Sequence, residues 1–254
     1  MKMSTRRHDG IGTGQGIRAL HMRRTVCLIP TLNEGPTIGE VVRKARNLVD
    51  RVVVVDGHSD DETPEMAGIH GADVLVQEGF GKGMAIRTAF QTVNEDIIVI
   101  IDGDSTYDAS EIYSLVQPIL RDEADMVVGS RLMGKMEEGA MTSFHRLGNN
   151  GFNALINLLT GSHITDSQSG FRAIKGGWAR SLSLVSTSFE IETEITMKAL
   201  KHGLRITEIP ISYRRRVKTV SKLSGFKAGW RILKTIIRCS LEKQDEKPLV
   251  ESKN

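Results

Sequence analysis

The chain is 254 residues long, 39% hydrophobic and 26% charged, ordinary values for a globular protein that buries one α/β core or two small ones. Its formal net charge is +3, so bulk charge by itself points to no class of partner. Two cysteines, Cys27 and Cys239, give neither a disulfide framework nor metal-ligand spacing; no stretch approaches the ~20 apolar residues of a membrane-crossing helix, and the basic N-terminus lacks a signal-peptide core.

Residues 1–23 are polar, basic and glycine-rich, and are expected as a disordered basic leader, with Met22 an alternative start. The run Gly10–Gly16 imitates a phosphate loop, but no strand precedes it. Thr25–Pro30 reads as a strand, and a helix follows from about Pro36, which suits a first helical turn, to Leu48. The strand Arg51–Val55 runs into Asp56, and the helix ending near His70 carries Asp61, Glu62 and Glu65 at its start, as the helix dipole favours. A strand over Asp73–Val76 leads through Gly79-Phe80-Gly81-Lys82-Gly83 into a helix reaching about Val93. Ile97–Asp104, IIVIIDGD, is an unbroken apolar strand delivered into two carboxylates. A helix over Ala109–Leu120 and a strand over Met126–Gly129, ending in Ser130-Arg131, complete this half. Beyond it, Leu132–Phe144 is expected as a mobile loop, Leu147–Leu159 and Phe189–Leu200 as helices, Asp166–Arg172 as a loop and Leu204–Ile211 as a strand. Strands alternating with helices at this spacing predict an α/β fold with a doubly wound, mainly parallel sheet.

Asp102 and Asp104 fall where the central strand leaves the sheet, the edge at which open α/β sheets bind ligands. Gly103 lets the backbone turn between them, so both carboxylates could face one hard cation such as Mg²⁺ or Mn²⁺. An ordinary strand-to-turn exit also favours Asp and Gly, and this stretch does not separate the two. Asn33/Glu34 and Asp56 likewise follow strands, and right-handed crossovers carry these clusters to one edge of the sheet. The Gly79–Gly83 loop opens a helix whose free N–H groups, with Lys82, could meet a phosphate or a nucleotide; a plain turn is the alternative.

In this order, Ile29-Pro30-Thr31-Leu32-Asn33-Glu34, VVVDGHSDDET, Gly81-Lys82-Gly83, IDGD, Gly129-Ser130-Arg131, DSQSGFRA and FEIETEI…EIPISYRRR…SKLSGFK resemble family-two glycosyltransferases of the nucleotide-sugar (GT-A, Rossmann-like) fold. The likeness is greatest to dolichyl-phosphate mannosyltransferase and related polyprenyl-phosphate sugar transferases, and covers roughly residues 25–230. It implies a catalytic domain over 24–223. Pro30, Asn33 and Glu34 would flank the nucleobase and ribose, Asp56 would touch the base, and Lys82 and Gly103 would join them around the nucleotide sugar. Asp102 and Asp104 would hold a metal on the diphosphate. Arg131, Arg146 and Arg172 would serve donor or acceptor phosphates, with Lys222 closing over the site, and Asp104, Arg131 and Arg172 would carry catalysis. Two positions depart from the pattern: Gly57 stands where close members carry a second Asp, and Thr106 where the mannosyltransferases carry a metal-binding Gln. The nucleotide and sugar therefore stay open, with GDP-mannose first and UDP-glucose or UDP-N-acetylglucosamine close behind.

The implied reaction is an inverting, metal-dependent transfer of a hexose to dolichyl or polyprenyl phosphate at the cytoplasmic face of a membrane. An acceptor phosphate is already anionic near neutral pH and needs no general base; Asp166 and Glu190 are candidates only for a hydroxyl acceptor. From Ile209 to Leu241 there is no acidic residue and a succession of Lys and Arg. Residues 224–254, which begin inside this stretch and run past it, are expected as a basic amphipathic helix and tail, lying in an anionic membrane interface or packed on the sheet with a solvated face. Nucleic acid is not expected as a partner, since no recognisable module carries the basic stretch. An integral-membrane partner subunit is compatible with the sequence. A non-catalytic nucleotide-sugar-binding protein at the membrane surface is the rival class.

Overall fold

The computed structural model describes residues 23–216 and 225–242. The leader before Arg23, Lys222 and the end of the tail lie outside them. Seven strands form one sheet: β1 (Thr25–Thr31), β2 (Arg51–Asp56), β3 (Asp73–Val76), β4 (Ile97–Ile100), β5 (Met126–Ser130), β6 (Arg172–Lys175) and β7 (Ile206–Pro210), in the order β3-β2-β1-β4-β6-β5-β7. Interleaved with them are α1 (Gly35–Ala45), α2 (Thr63–Ile69), α3 (Lys82–Thr92), α4 (Ile112–Leu120), α5 (Ser143–Thr160), α6 (Gly176–Ser181), α7 (Ile191–Lys201) and α8 (Gly225–Leu241).

The runs TVCLIPT, RVVVVD and IIVI are buried along almost their whole length, as β-branched strands covered on both faces should be. One face packs Ile29, Val54 and Val99 against Ile38 and Val42 of α1 and Ile112 and Leu115 of α4. The other packs Leu28, Val53 and Ile98 against Ile86 and Phe90 of α3 and Ile191 and Ile195 of α7. Parallel pairing sets Thr31 beside Asp56 and Leu28 beside Ile100, so the loops after β1, β2 and β4 emerge at one edge.

The strand β6 departs from the sequence expectation. It runs antiparallel between β4 and β5, pairing Ile98 with Ile174 and Val127 with Ala173. RAIK is four residues long, bounded by charges, and follows a Ser/Gly loop, so it carries no β-branched run to announce it. The stretch expected as a mobile loop is tied down by backbone bonds, Tyr213 N–H to Lys135 O (2.8 Å) and Glu137 N–H to Tyr213 O (2.9 Å). The helix after it starts earlier than expected, where the Thr142 hydroxyl accepts from His145 N–H and caps α5.

A third apolar cluster joins Ile156 of α5, Met197 of α7 and Ile232, Ile236 and Cys239 of α8. The tail helix thus docks on two helices, not on the sheet and not with its whole apolar side turned outward. Phe226, Trp230, Ile237 and Leu241 stay exposed.

Candidate active site

After β4, Ile101 N–H donates to Leu28 O, and the chain turns through Asp102-Gly103-Asp104. A Cβ on Gly103 would sit 2.6 Å from the Thr31 side chain, so the turn requires the bare backbone. Its carbonyl accepts from the Thr37 hydroxyl (2.8 Å), which ties the turn to the start of α1. Asp104 is then held from two sides. Its Oδ1 accepts from the Thr106 N–H (3.0 Å) and hydroxyl (2.6 Å), and its Oδ2 from Arg216 Nε (2.9 Å) and Nη2. Thr106 therefore orients a carboxylate rather than standing in for the ligand its position departs from.

Arg216 Nη2 also reaches Glu34 Oε1 (3.4 Å). Burial works against the Arg216 charge, but Asp104, Glu34 and Asp102 outweigh it and hold its pKa above the usual value. Across the turn, Lys82 Nζ lies 2.5 Å from Asp102 Oδ1 and 2.6 Å from Glu192 Oε1. Burial again opposes the charge and the two carboxylates prevail, so Lys82 stays protonated at any ordinary pH. Gly170 makes room for this pair, since a Cβ there would sit 2.8 Å from Asp102 Oδ2 and 2.9 Å from Lys82 Nζ. Gly81 and Gly83, left open between a phosphate-binding loop and a plain turn, are bare because Thr187 O and Ser186 O press on them at 2.4 and 2.5 Å from where a Cβ would be.

Two cavities meet at this network. One, of about 280 Å³, is lined by Pro30, Thr31, Leu32, Glu34, Gly57, Gln77 and Gly103. The other, of about 560 Å³, is lined by Asp104, Arg131, Tyr213, Phe144, Phe152, Phe226, Trp230 and Leu233 among others. Lys82, Asp102, Phe189 and Arg216 line both. Asp56 lies beside the smaller cavity; its Oδ2 accepts from Ser59 N–H (3.0 Å), while Oδ1 is buried with no hydrogen-bond partner among the described residues. Asn33 sits in a left-handed turn (φ 52°) and fastens two loops, donating its N–H to Ser59 Oγ and accepting from Asp60 N–H through Oδ1.

The arginines separate. Arg131 lines the larger cavity but is clamped by Asp166, with Nε to Oδ2 and Nη2 to Oδ1 both at 2.8 Å, and lies 5.2 Å over the Tyr213 ring. Arg172, expected on a phosphate, is 1% exposed and lines neither cavity. It donates to the carbonyls of Ser167, Ser169 and Glu192 and to the Thr196 hydroxyl, and burial lowers its pKa. Its work is to hold the 167–171 turn against α7. Arg146 faces a separate groove with Asn150, Asn153 and Asn157. Asp166 is fully buried in its Arg131 clamp, Glu190 accepts from Thr187 and Ser188 N–H through Oε1, and neither lines either cavity.

Sequence reading passed over Arg216 and Glu192. Arg216 is the last of three consecutive arginines in a basic run and Glu192 stands between two other glutamates, so the sequence sets neither apart from its neighbours. Asp102 and Asp104 form an all-oxygen pair that suits Mg²⁺ or Mn²⁺, and both already attract cationic side chains. Among the described residues no group of three or more His, Cys, Asp or Glu is placed to hold a metal ion, so the remaining ligands would have to come from a diphosphate and water. No described helix is long and apolar enough to cross a membrane.

Comparison with known proteins adds to this geometry. The family profile described as Glycosyl transferase family 2 matches residues 26–182. The glycosyltransferase AglJ of Haloferax volcanii is 37% identical over 191 residues, which cover 74% of this chain but 62% of that relative, so the chain spans less than two thirds of its length. A dolichyl-phosphate hexose transferase of the same organism is 32% identical over 217 residues, 84% of this chain and 92% of the relative. Among solved structures, glucosyl-3-phosphoglycerate synthase from Mycobacterium tuberculosis, in complex with Mn²⁺, UDP-glucose and phosphoglyceric acid, superposes with a TM-score of 0.72 at 22% identity. That match covers 92% of this chain and 86% of the other.

Proposed function

The chain belongs to glycosyl transferase family 2, and from that premise we propose that it moves a hexose from a nucleotide sugar to dolichyl or another polyprenyl phosphate. The observation that carries this is the pair of cavities sharing Asp102, Lys82 and Arg216. The smaller suits a nucleoside diphosphate at the edge of the sheet. The larger adds the aromatic side chains of α5 and α8, an apolar lining fit for a prenyl chain. A relative named for dolichyl-phosphate hexose transfer supports the same acceptor class.

Asp102 and Asp104 would hold Mg²⁺ or Mn²⁺, which when bound neutralises charge on the departing diphosphate. Lys82 and Arg216 add positive charge at the same place. The acceptor phosphate supplies its own negative oxygen, which agrees with Asp166 and Glu190 being engaged elsewhere. Direct displacement inverts the anomeric centre. Asp56 Oδ1 offers a buried acceptor to a ring N–H, which uracil and guanine both carry, so it does not choose between UDP and GDP sugars. Phe144, Phe226 and Trp230 stand exposed on the larger cavity, and Lys234 lies 5.3 Å over the Trp230 ring, an arrangement suited to peripheral attachment at the cytoplasmic face of an anionic membrane.

The test is a donor screen with labelled GDP-mannose, UDP-glucose and UDP-N-acetylglucosamine, in the presence of dolichyl phosphate and with or without EDTA. EDTA-sensitive transfer of one sugar into the lipid fraction is the expected result. No lipid-linked label from any donor, with donor binding intact, would contradict it and favour a binding protein.

A further inference from the structure

Asp104 and Asp102, the pair assigned to the metal, are each already neutralised by a cationic side chain. Arg216 places Nε and Nη2 on Asp104 Oδ2, and Lys82 lies on Asp102 Oδ1. Each cation bridges two carboxylates, Lys82 between Asp102 and Glu192 and Arg216 between Asp104 and Glu34, and the two differ in exposure and reach. The Lys82 side chain is 11% exposed; that of Arg216 is 24% exposed and comes from the strap 212–216. That strap is pinned along its length: Ser212 N–H to Glu111, Arg214 N–H to Thr106 O (2.7 Å) and Arg215 N–H to Glu137 Oε2 (2.7 Å). The backbone leading to Arg216 is thereby fixed over the turn, and its long guanidinium side chain reaches Asp104 from the more exposed side, where a competing anion can meet it.

We infer that Arg216 is the resident counter-cation of Asp104, so that a divalent cation enters only together with a diphosphate that takes the guanidinium off the carboxylate. A divalent ion arriving alone would meet Arg216 and Lys82 beside the same two carboxylates, and like charges at that separation repel strongly in a half-buried site. A nucleoside diphosphate reverses the balance. Its oxygens give Arg216 a bidentate partner and restore Asp104 to the ion. Metal and nucleotide binding are then linked through one side chain, each strengthening the other by the same factor. A free enzyme without bound metal would follow, and with it protection from idle binding of abundant cations.

The inference rests on the metal reading above, and its test tells the two apart. Mn²⁺ binding is measured by the electron-spin signal of the free ion, with no sugar donor present, for the full chain, Arg216→Gln and Arg214→Gln. The last removes an equal charge from the neighbouring pair with Asp108. Urea midpoints confirm that each variant is folded. Wild type and Arg214→Gln should bind Mn²⁺ weakly alone and more tightly with UDP or GDP. Arg216→Gln should bind Mn²⁺ alone at least about tenfold more tightly than wild type and gain less from the nucleotide. Unchanged Mn²⁺ affinity in folded Arg216→Gln, with wild type binding Mn²⁺ in the presence of nucleotide, would overturn the inference and leave the metal reading standing. An equal gain in Arg214→Gln would also overturn it, by making the effect one of net charge. Absence of Mn²⁺ binding to wild type with either nucleotide would remove the metal reading and the inference together.

Discussion

Both oxygens of Asp104 have protein donors, Thr106 on one and Arg216 on the other, so the carboxylate is aimed before any ligand binds. Asp104→Asn keeps the Thr106 bonds available to its carbonyl oxygen but leaves Arg216 facing an amide. We expect metal-dependent turnover to fall by at least ~100-fold, the scale seen when one electrostatic stabiliser is removed, with the unfolding midpoint little changed. Steady-state kinetics at limiting Mn²⁺ or Mg²⁺ check this, and near-wild-type rates would end the metal assignment. Arg172 makes the opposite forecast. Its removal strands the buried carbonyls of Ser167, Ser169 and Glu192. At about 1–3 kcal/mol for each unpaired buried group, Arg172→Ala should lose at least about 3 kcal/mol of stability by urea unfolding. A stable Arg172→Ala with impaired phosphate binding would restore the sequence-based role. The two residues show what a motif conveys: IDGD places its carboxylates by the strand that precedes them, whereas an Arg in a motif does not reveal that its donors are spent on local carbonyls.

At the scale of elements, Asp125 ties three strands together. It accepts from Lys175 at the end of β6 and from Arg205 just before β7, beside its own β5. Partial burial opposes its charge, but hydrogen bonds from Arg205 and Lys175 outweigh this and hold its carboxyl well below the usual range. A carboxylate whose native pKa is depressed stabilises the fold fully above the ordinary value and loses that contribution as pH falls towards the native one. Asp125→Asn should therefore unfold earlier in urea at about pH 6, and its gap from wild type should only begin to narrow at about pH 3, closing as pH falls further towards the native value. Parallel pH curves for the two proteins would deny the clamp its role. The tail helix α8 gives a second contrast. Ile236 is fully buried against α5 and α7, so Ile236→Ala should cost about 2–5 kcal/mol of stability. Trp230, 56% exposed at the larger cavity, should change stability by less than about 0.5 kcal/mol on replacement by Ala while slowing transfer to long-chain polyprenyl phosphate. Equal rates on long and short acceptors in Trp230→Ala would dissociate α8 from the lipid. Period and charge showed this helix to be amphipathic; they did not show that half of its apolar face already has a partner, because Ile156 and Met197 are distant in sequence.

Across the whole molecule, the parallel half was legible because TVCLIPT, RVVVVD and IIVI each declare a strand buried on both faces, and topology then gathers their exits. The second half was less so. Buried Glu192, Glu194 and Lys198 of α7 look like a solvated face until Lys82 and Arg238 are brought to them from other elements. The larger cavity depends on that assembly, since its walls come from α5, α8 and the strap carrying Tyr213 and Arg216. On the proposed reading, its apolar walls lead to a junction where Lys82, Arg131 and Arg216 face Asp102, Asp104 and Glu192, which suits a phosphate on a lipid rather than a lipid alcohol. The decisive measurement supplies one labelled nucleotide sugar with polyprenyl phosphate and, separately, the same chain as the dephosphorylated polyprenol. The account predicts label in the lipid fraction with the phosphate and none with the alcohol; equal labelling of the alcohol, or transfer only to a water-soluble hydroxyl acceptor, would contradict it.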